Sequence, residues 1–289
     1  MAACSQPTET ADQPITQNTF AVIQSLDDCE PYHSLLALEE RYLGLYLGEI
    51  HGSINAPEIL ECFILSNTDR ERALVISLEM FHDDRARLSE QSIASGAKGL
   101  GTGTPPIHQL IAHYQSIGAS VQFHYHDGYY TGYAYASEIT PKPAPIGING
   151  QPTAEKNQYE AWSPVPNARE RSIGDAIKRE IYENRFIVAL GGNIHASRAT
   201  WSEDWGKEGR AGSYLPKSIA TVKLLSSKGG QLRFCSDRPS SEGPPCDLYD
   251  ISPKADVFPD KQPLINGNRQ NYDYLFDVGQ WRPIPPPRL

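Results

Sequence analysis

The chain has 289 residues, 39% of them hydrophobic, and a net charge of -9. Its pI near 5.4 and its lack of a Lys/Arg cluster argue against nucleic acid as a partner. No apolar run approaches the roughly 18 residues that a membrane span needs, and the length suits one large α/β domain or two smaller ones.

In chain order, the first feature is Ala2-Ala3-Cys4, followed by a polar stretch over 5–19 without hydrophobic periodicity. The stretch reads as a disordered tether over 1–19, and small residues before a Cys look like the end of a bacterial lipoprotein signal. On that reading Cys4 carries a lipid. The domain, 20–289, then sits in the bacterial periplasm or cell envelope, attached peripherally to the membrane. Such a compartment permits disulfides among Cys29, Cys62, Cys235 and Cys246. Cys235 and Cys246 flank a Ser/Pro/Gly-rich loop and are expected to pair; the pairing of Cys29 and Cys62 stays open. No Cys-x-x-Cys occurs, which argues against a structural zinc site.

The pattern over 31–41 predicts a helix carrying Leu35, Leu36 and Leu38. Residues 43–47 read as a buried strand, ending in Gly48-Glu49-Ile50-His51-Gly52. A helix follows, with Asn55 as cap, Pro57 in the first turn, Glu58 three residues after the cap, and Ile59, Leu60, Phe63 and Ile64 inward. Residues 73–78 form a second strand, ending in Glu79-Met80-Phe81-His82. Beyond a Gly-rich stretch, Ile107, Leu110, Ile111 and Tyr114 share one helical face. A third strand is expected over 119–125. A Pro/Gly/Asn-rich insert occupies 139–168. A helix over 170–184 buries Ile173, Ala176, Ile177 and Ile181. The strand 186–190 then runs into Gly191-Gly192-Asn193-Ile194-His195. Further strands are expected over 221–225 and 274–278. The alternation predicts an α/β fold with a central, mostly parallel sheet covered by helices on both faces.

Three strands thus finish in acid–base or ligand-type residues: Glu49 and His51, Glu79 and His82, and His195. Parallel strands present their carboxyl ends on one rim, so these residues are expected to share a site. Glycines before Glu49 and His195 let the chain turn sharply and let a ligand approach the backbone. Imidazole with carboxylate suits a zinc, manganese, cobalt or iron-type ion, with His51, Glu79 and His195 as ligands. Without a metal, a His or Glu can act as general base. Arg171, where the insert meets a helix, is a candidate for holding an anion or oxyanion. The His/Tyr-rich segment 124–135 is read as sheet packing, though Tyr and His can also ligate haem. His108 and His113 are read as structural. Gly99-Leu100-Gly101-Thr102-Gly103 lacks a preceding strand and is no dinucleotide fingerprint. No Gly-x-Ser-x-Gly elbow occurs.

The two Gly-x-x-His motifs, Gly48–His51 and Gly192–His195, resemble those of a superfamily. It groups the TIKI and TraB proteins, the ChaN haem-binding lipoproteins and the erythromycin esterases. Leu78-Glu79-Met80-Phe81 is similar to the ChaN version, and Arg171 to an Arg on a mid-chain helix. The likeness runs from about 43 to 200. It implies an EreA/ChaN-like α/β domain. It also implies a metal-dependent hydrolase acting on a small molecule or peptide, with Glu49, His51, Glu79, Arg171 and His195 as catalytic residues. The alternative it implies is a ChaN-type haem-binding, iron-uptake lipoprotein without catalysis.

Overall fold

A computed structural model of the chain describes residues 23, 25–68, 72–81, 107, 110–111, 113–114, 120–127, 166–200, 209–235, 246–258, 261–267 and 270–284. The tether with Cys4, His82, the glycine-rich run at 99–103, His108, residues 128–135 and the insert up to 165 lie outside the described residues. Among those described, no helix is long and apolar enough to cross a membrane.

The strands of the main sheet are β1 (Gly44–Glu49), β2 (Ala73–Phe81), β3 (Val121–Asp127), β4 (Arg185–Gly192), β5 (Ile219–Leu225), β8 (Leu264–Asn266) and β9 (Tyr274–Asp277). These seven stand in the order β3-β2-β4-β1-β5-β9-β8. All neighbours pair in parallel except β8 with β9. A separate antiparallel hairpin joins β6 (Gly230–Cys235) to β7 (Cys246–Ile251).

The expected helix over 31–41 is instead a series of short turns. The 3-10 segment Leu26–Tyr32 contains Pro31, and α1 (His33–Leu36) and the 3-10 turn Ala37–Glu40 follow it. Leu35 and Leu38 are buried.

Alternation along the strands divides the core in two. On β1, Leu45 and Leu47 face one cluster and Tyr46 the other. The first cluster is covered by α2 (Asn55–Ser66), through Ala56, Ile59, Leu60 and Phe63. The second is covered by α3 (Pro166–Arg179), through Ile173 and Ile177. The short α4 (Asn193–Ala196) follows β4 directly and adds Ala196 to the second. The chain therefore leaves β1 and β4, which are neighbours, on opposite faces. That is the arrangement that opens a crevice at the strand ends.

The cap of α2 differs from the expected one. Ile54 is the cap residue and Asn55 already lies inside the helix. Asn55 is drawn to the C-terminal segment instead, accepting from Arg282 N–H at 3.0 Å and donating to Gln280 O at 3.2 Å. Glu58 likewise pairs with Arg282 and accepts from the Tyr32 hydroxyl.

A disulfide joins Cys29 to Cys62, with both residues fully buried. It ties the N-terminal turns to α2. The neighbouring Glu61 reinforces that tie, its carboxylate accepting from Ile23 N–H at 3.0 Å and from the Tyr114 hydroxyl at 3.4 Å. Cys235 and Cys246 are direct register partners in the hairpin. Their side chains lie outside the described residues, and the expected bond between them is a proposal.

Candidate functional site

β1 and β4 run in register so that Gly48 faces Gly191 and Glu49 faces Gly192. β2 flanks β4 on its other side. The carboxyl ends of β2, β4 and β1 therefore stand in a row.

Past Glu49 the chain turns at Gly52, whose φ of +91° only glycine holds easily. A Cβ there would stand 2.5 Å from the carbonyl oxygen of Arg233. Arg233 N–H donates to Gly52 O at 3.0 Å, docking the hairpin against this turn. The turn brings His51 back, so that its Nδ1 lies 3.1 Å from Glu49 Oε1. Glu49 is buried and the His51 side chain is 26% exposed.

β4 ends in two glycines that leave room for side chains from its neighbours. A Cβ on Gly192 would lie 3.3 Å from His51 Nε2, 3.5 Å from His195 Cδ2 and 3.6 Å from Glu79 Oε2. These side chains, from three separate strand ends, meet over one bare stretch of backbone. Glu79 Oε2 accepts Gly192 N–H at 2.6 Å, and its Oε1 lies 3.3 Å from His195 Nε2. The opposite ring nitrogen of His195 reaches Glu170 Oε1 on α3 at 2.6 Å. Glu170 is itself held by Ala211 N–H at 2.8 Å, with the Arg210 guanidinium 3.8 Å away. A contact from the Tyr272 hydroxyl to Asn193 O and a fan of bonds from Arg198 fix the segment around His195. Arg198 reaches Asp273 and the carbonyls of Gly212, Leu215 and Ile219.

The electrostatics follow from burial and pairing. Burial pushes the Glu49 carboxyl up; the hydrogen bond and charge of His51 oppose this, the charge of Glu79 adds to it, and the net shift is upward. Burial pushes Glu170 up as well. Its bond to His195, the charge of His195, Ala211 N–H and Arg210 together outweigh it, so Glu170 is held below the usual carboxylate range. The two carboxyls are thus shifted in opposite directions.

Glu49, His51, Glu79 and His195 are therefore brought together. Arg171 is not among them, and the catalytic role expected of it is a proposal. Its side chain is 60% exposed and lies 3.8 Å from Asp175, one turn along α3. Successive helical residues point about 100° apart, so with Arg171 toward solvent it is Glu170 that enters the site. Glu170 precedes Ile173 by three residues and Ile177 by seven, both buried. A carboxylate on the apolar stripe was thus the available signal. Arg210, in a stretch without periodicity, left none.

The expected metal set of His51, Glu79 and His195 does not fit. Among the described residues no group of three His, Cys, Asp or Glu side chains stands ready to hold a metal. Each ring nitrogen of His195 faces a carboxylate, which is the setting of a doubly donating imidazolium rather than of a ring offering a lone pair.

No family model matches the chain, and no curated protein matches it. Solved structures do. An erythromycin esterase, a mutant of EreC in its open conformation, superposes with a TM-score of 0.53 at 11% identity, covering 92% of this chain and 96% of that one. A succinoglycan biosynthesis protein gives 0.53 at 12%, covering 92% and 94%. ChaN of Campylobacter jejuni, with cofacial haem, gives 0.39 at 10%, covering 76% and 92%. The α/β architecture with a mostly parallel sheet is thus the one seen in the esterase.

Proposed function

We propose that the chain is a hydrolase of ester or amide bonds that works by paired imidazole–carboxylate acid–base chemistry. The observation that carries this reading is that two imidazoles facing one glycine each have Nδ1 held by a buried carboxylate, Glu49 for His51 and Glu170 for His195. Glu49 fixes the His51 tautomer and leaves its Nε2 toward the site, while Glu170 orients the His195 ring between itself and Glu79. His51, the more exposed of the two, takes the proton from an attacking water at Nε2. Glu49 then sits beside the imidazolium that forms. His195, charged between Glu170 and Glu79, donates from Nε2 to the leaving oxygen or nitrogen. Glu79, anchored by Gly192 N–H, holds that proton in line until it is needed. An esterase of the same architecture is a reason to begin the substrate search with esters.

The test is a panel of esters and peptides hydrolysed by the full chain, with His51→Ala and His195→Ala beside it. Each substitution should lower kcat by about 10²–10⁴. Parallel samples treated with chelator, then with manganese, cobalt, zinc or iron, read out any metal requirement. A visible absorbance scan of the purified protein reads out haem. Unchanged turnover in both histidine variants would overturn the proposal.

A further inference from the structure

The polar floor of the site continues across the sheet past β1. Ser77, Ala189, Tyr46 and Thr221 are register partners on β2, β4, β1 and β5. Side chains two apart on a strand share a face, so Glu79, Gly191, Gly48 and Lys223 form the next row toward the strand ends. A cation stands at one end of this row, and the carboxylate that meets His195 stands at the other. Gly191 faces Gly48, and Gly48 faces Lys223. With adjacent strands about 4.8 Å apart, the Lys223 backbone lies roughly 10 Å from Gly191.

The short α4 sits between the two ends. A Cβ on Gly48 would stand 3.0 Å from Ala196 Cβ and from Asn193 Oδ1. Lys223 and Glu79 therefore flank α4. The residue that α4 turns outward is Ile194, 52% exposed. A ligand that touches both ends of the row crosses Ile194.

Lys223 is a half-buried cation without a counter-charge. Its Nζ donates to the neutral Gln270 Oε1 at 3.2 Å and lies 5.5 Å from the centre of the Tyr272 ring. The Tyr272 hydroxyl donates to Asn193 O, so the ring ties the lysine to the segment that carries His195. The Asp273 carboxylate, next in sequence, is engaged by Arg198 and Thr221. Among the described residues no carboxylate pairs with Lys223, and the charge that acts on it is a second cation, Lys254. Burial first, and then Lys254, hold its pKa below the ordinary lysine value. A buried ammonium beside another ammonium is destabilising, and an anion supplied from outside would relieve it. An ammonium has three hydrogens. With one on Gln270, two remain for the two oxygens of a carboxylate.

We infer that Lys223 seats a carboxylate of the substrate while the bond to be cleaved lies at His51 and His195. The substrate class is then an ester or amide that also bears a carboxylate, joined to it by an apolar stretch that passes over Ile194. The kinetic consequences rest on the hydrolase reading; the binding of the carboxylate does not.

Two experiments on the full chain keep these apart. The first is kinetic. Its probes are nitrophenyl half-esters of succinate, adipate and suberate, each beside its neutral methyl-capped diester. At one chain length the half-ester should exceed the diester in kcat/KM by about tenfold. Lys223→Gln should bring that ratio close to one. A ratio that is the same in parent and variant at every length would overturn the inference. The second needs no turnover. Free dicarboxylates of the same three lengths are added to protein carbon-labelled at lysine Cε, and the pH titration of Lys223 is followed by NMR, its signal identified by its loss in Lys223→Gln. A seated carboxylate should raise the Lys223 pKa, because it favours the charged form. A shift no larger than that in sodium chloride of equal ionic strength would overturn the inference, whatever the enzyme assay shows. Inorganic phosphate acting at much lower concentration than every dicarboxylate would overturn the carboxylate as the class. Absence of any hydrolysis by the parent chain would sink the hydrolase reading while the titration still decides the site at Lys223.

Discussion

Glu61 is a buried carboxylate whose protonation should be visible in the stability of the whole chain. Burial is the main cause that lifts its pKa from 4.5 to about 7; the Ile23 N–H and Tyr114 bonds act against burial without cancelling it. Between those two values the folded state keeps a proton that the unfolded chain has lost. Stability therefore falls as pH rises through that window and is fully reduced above about 7. At about 1.4 kcal/mol per pH unit the whole shift corresponds to roughly 3 kcal/mol. Partial screening by solvent trims this to about 2 kcal/mol. Glu61→Gln removes the titration while keeping an acceptor for Ile23 and Tyr114. Urea unfolding of parent and variant, at intervals from about pH 4 to pH 8.5, is the assay. The variant should gain on the parent by about 2 kcal/mol across the series, because every other carboxylate titrates alike in both. Two parallel stability curves would refute the reasoning, since they would mean that Glu61 has the same proton affinity folded and unfolded.

Glu170→Gln should destabilise the chain by about 1.5–3 kcal/mol at neutral pH. The deficit should close in acid, as pH falls through the depressed folded-state pKa of Glu170; a deficit that persisted there would contradict the pairing with His195. Gly191→Ala places a methyl against Tyr46 and Glu79; urea unfolding should show a loss of about 1–3 kcal/mol, with a drop in any hydrolytic rate. Reduction of Cys29–Cys62, or Cys29→Ser, should cost about 2–4 kcal/mol for a bond of this kind, read as a lower urea midpoint. Peptide mapping of protein made under oxidising conditions should find Cys235 joined to Cys246, and two free thiols would refute that bond. In a native host, Cys4→Ser should move the protein from the membrane to the soluble fraction; equal retention of both forms would count against a lipid at Cys4.

Much of the sheet was legible because its strands are short apolar runs that stop at glycine or a charged residue. The runs around Leu45, Val75, Val188, Val222 and Leu275 all become strands of the one parallel sheet. Strands with mixed composition were not legible. The hairpin of β6 and β7 interrupts its apolar residues with Arg233, Asp247 and Asp250, and β8 has three residues. The strand-end histidines stood out because a charged group after an apolar run is a local signal. Glu170 and Arg210 were harder. Their roles depend on how α3 and Arg210 come together beside His195, which no local pattern encodes. Asn55 shows the opposite failure: a good local cap signal yields to a tertiary partner, the backbone of residues 280 and 282. The bond between Cys29 and Cys62 was beyond spacing altogether, since it depends on the N-terminal turns packing on α2.

That bond also redraws the path along which the chain carries tension. The covalent shortcut from Cys29 to Cys62 spans 33 residues of sequence. All of β1, Glu49, His51 and the Gly52 turn hang from it as a side loop. A pull on the N-terminal end enters at Cys29, crosses the sulfur bridge into α2, and continues toward the C-terminus without stretching the loop. Half of the candidate site is thereby removed from the line of force. A single-molecule trace pulled from both ends should lack the contour length of that loop, and regain it when the bond is reduced.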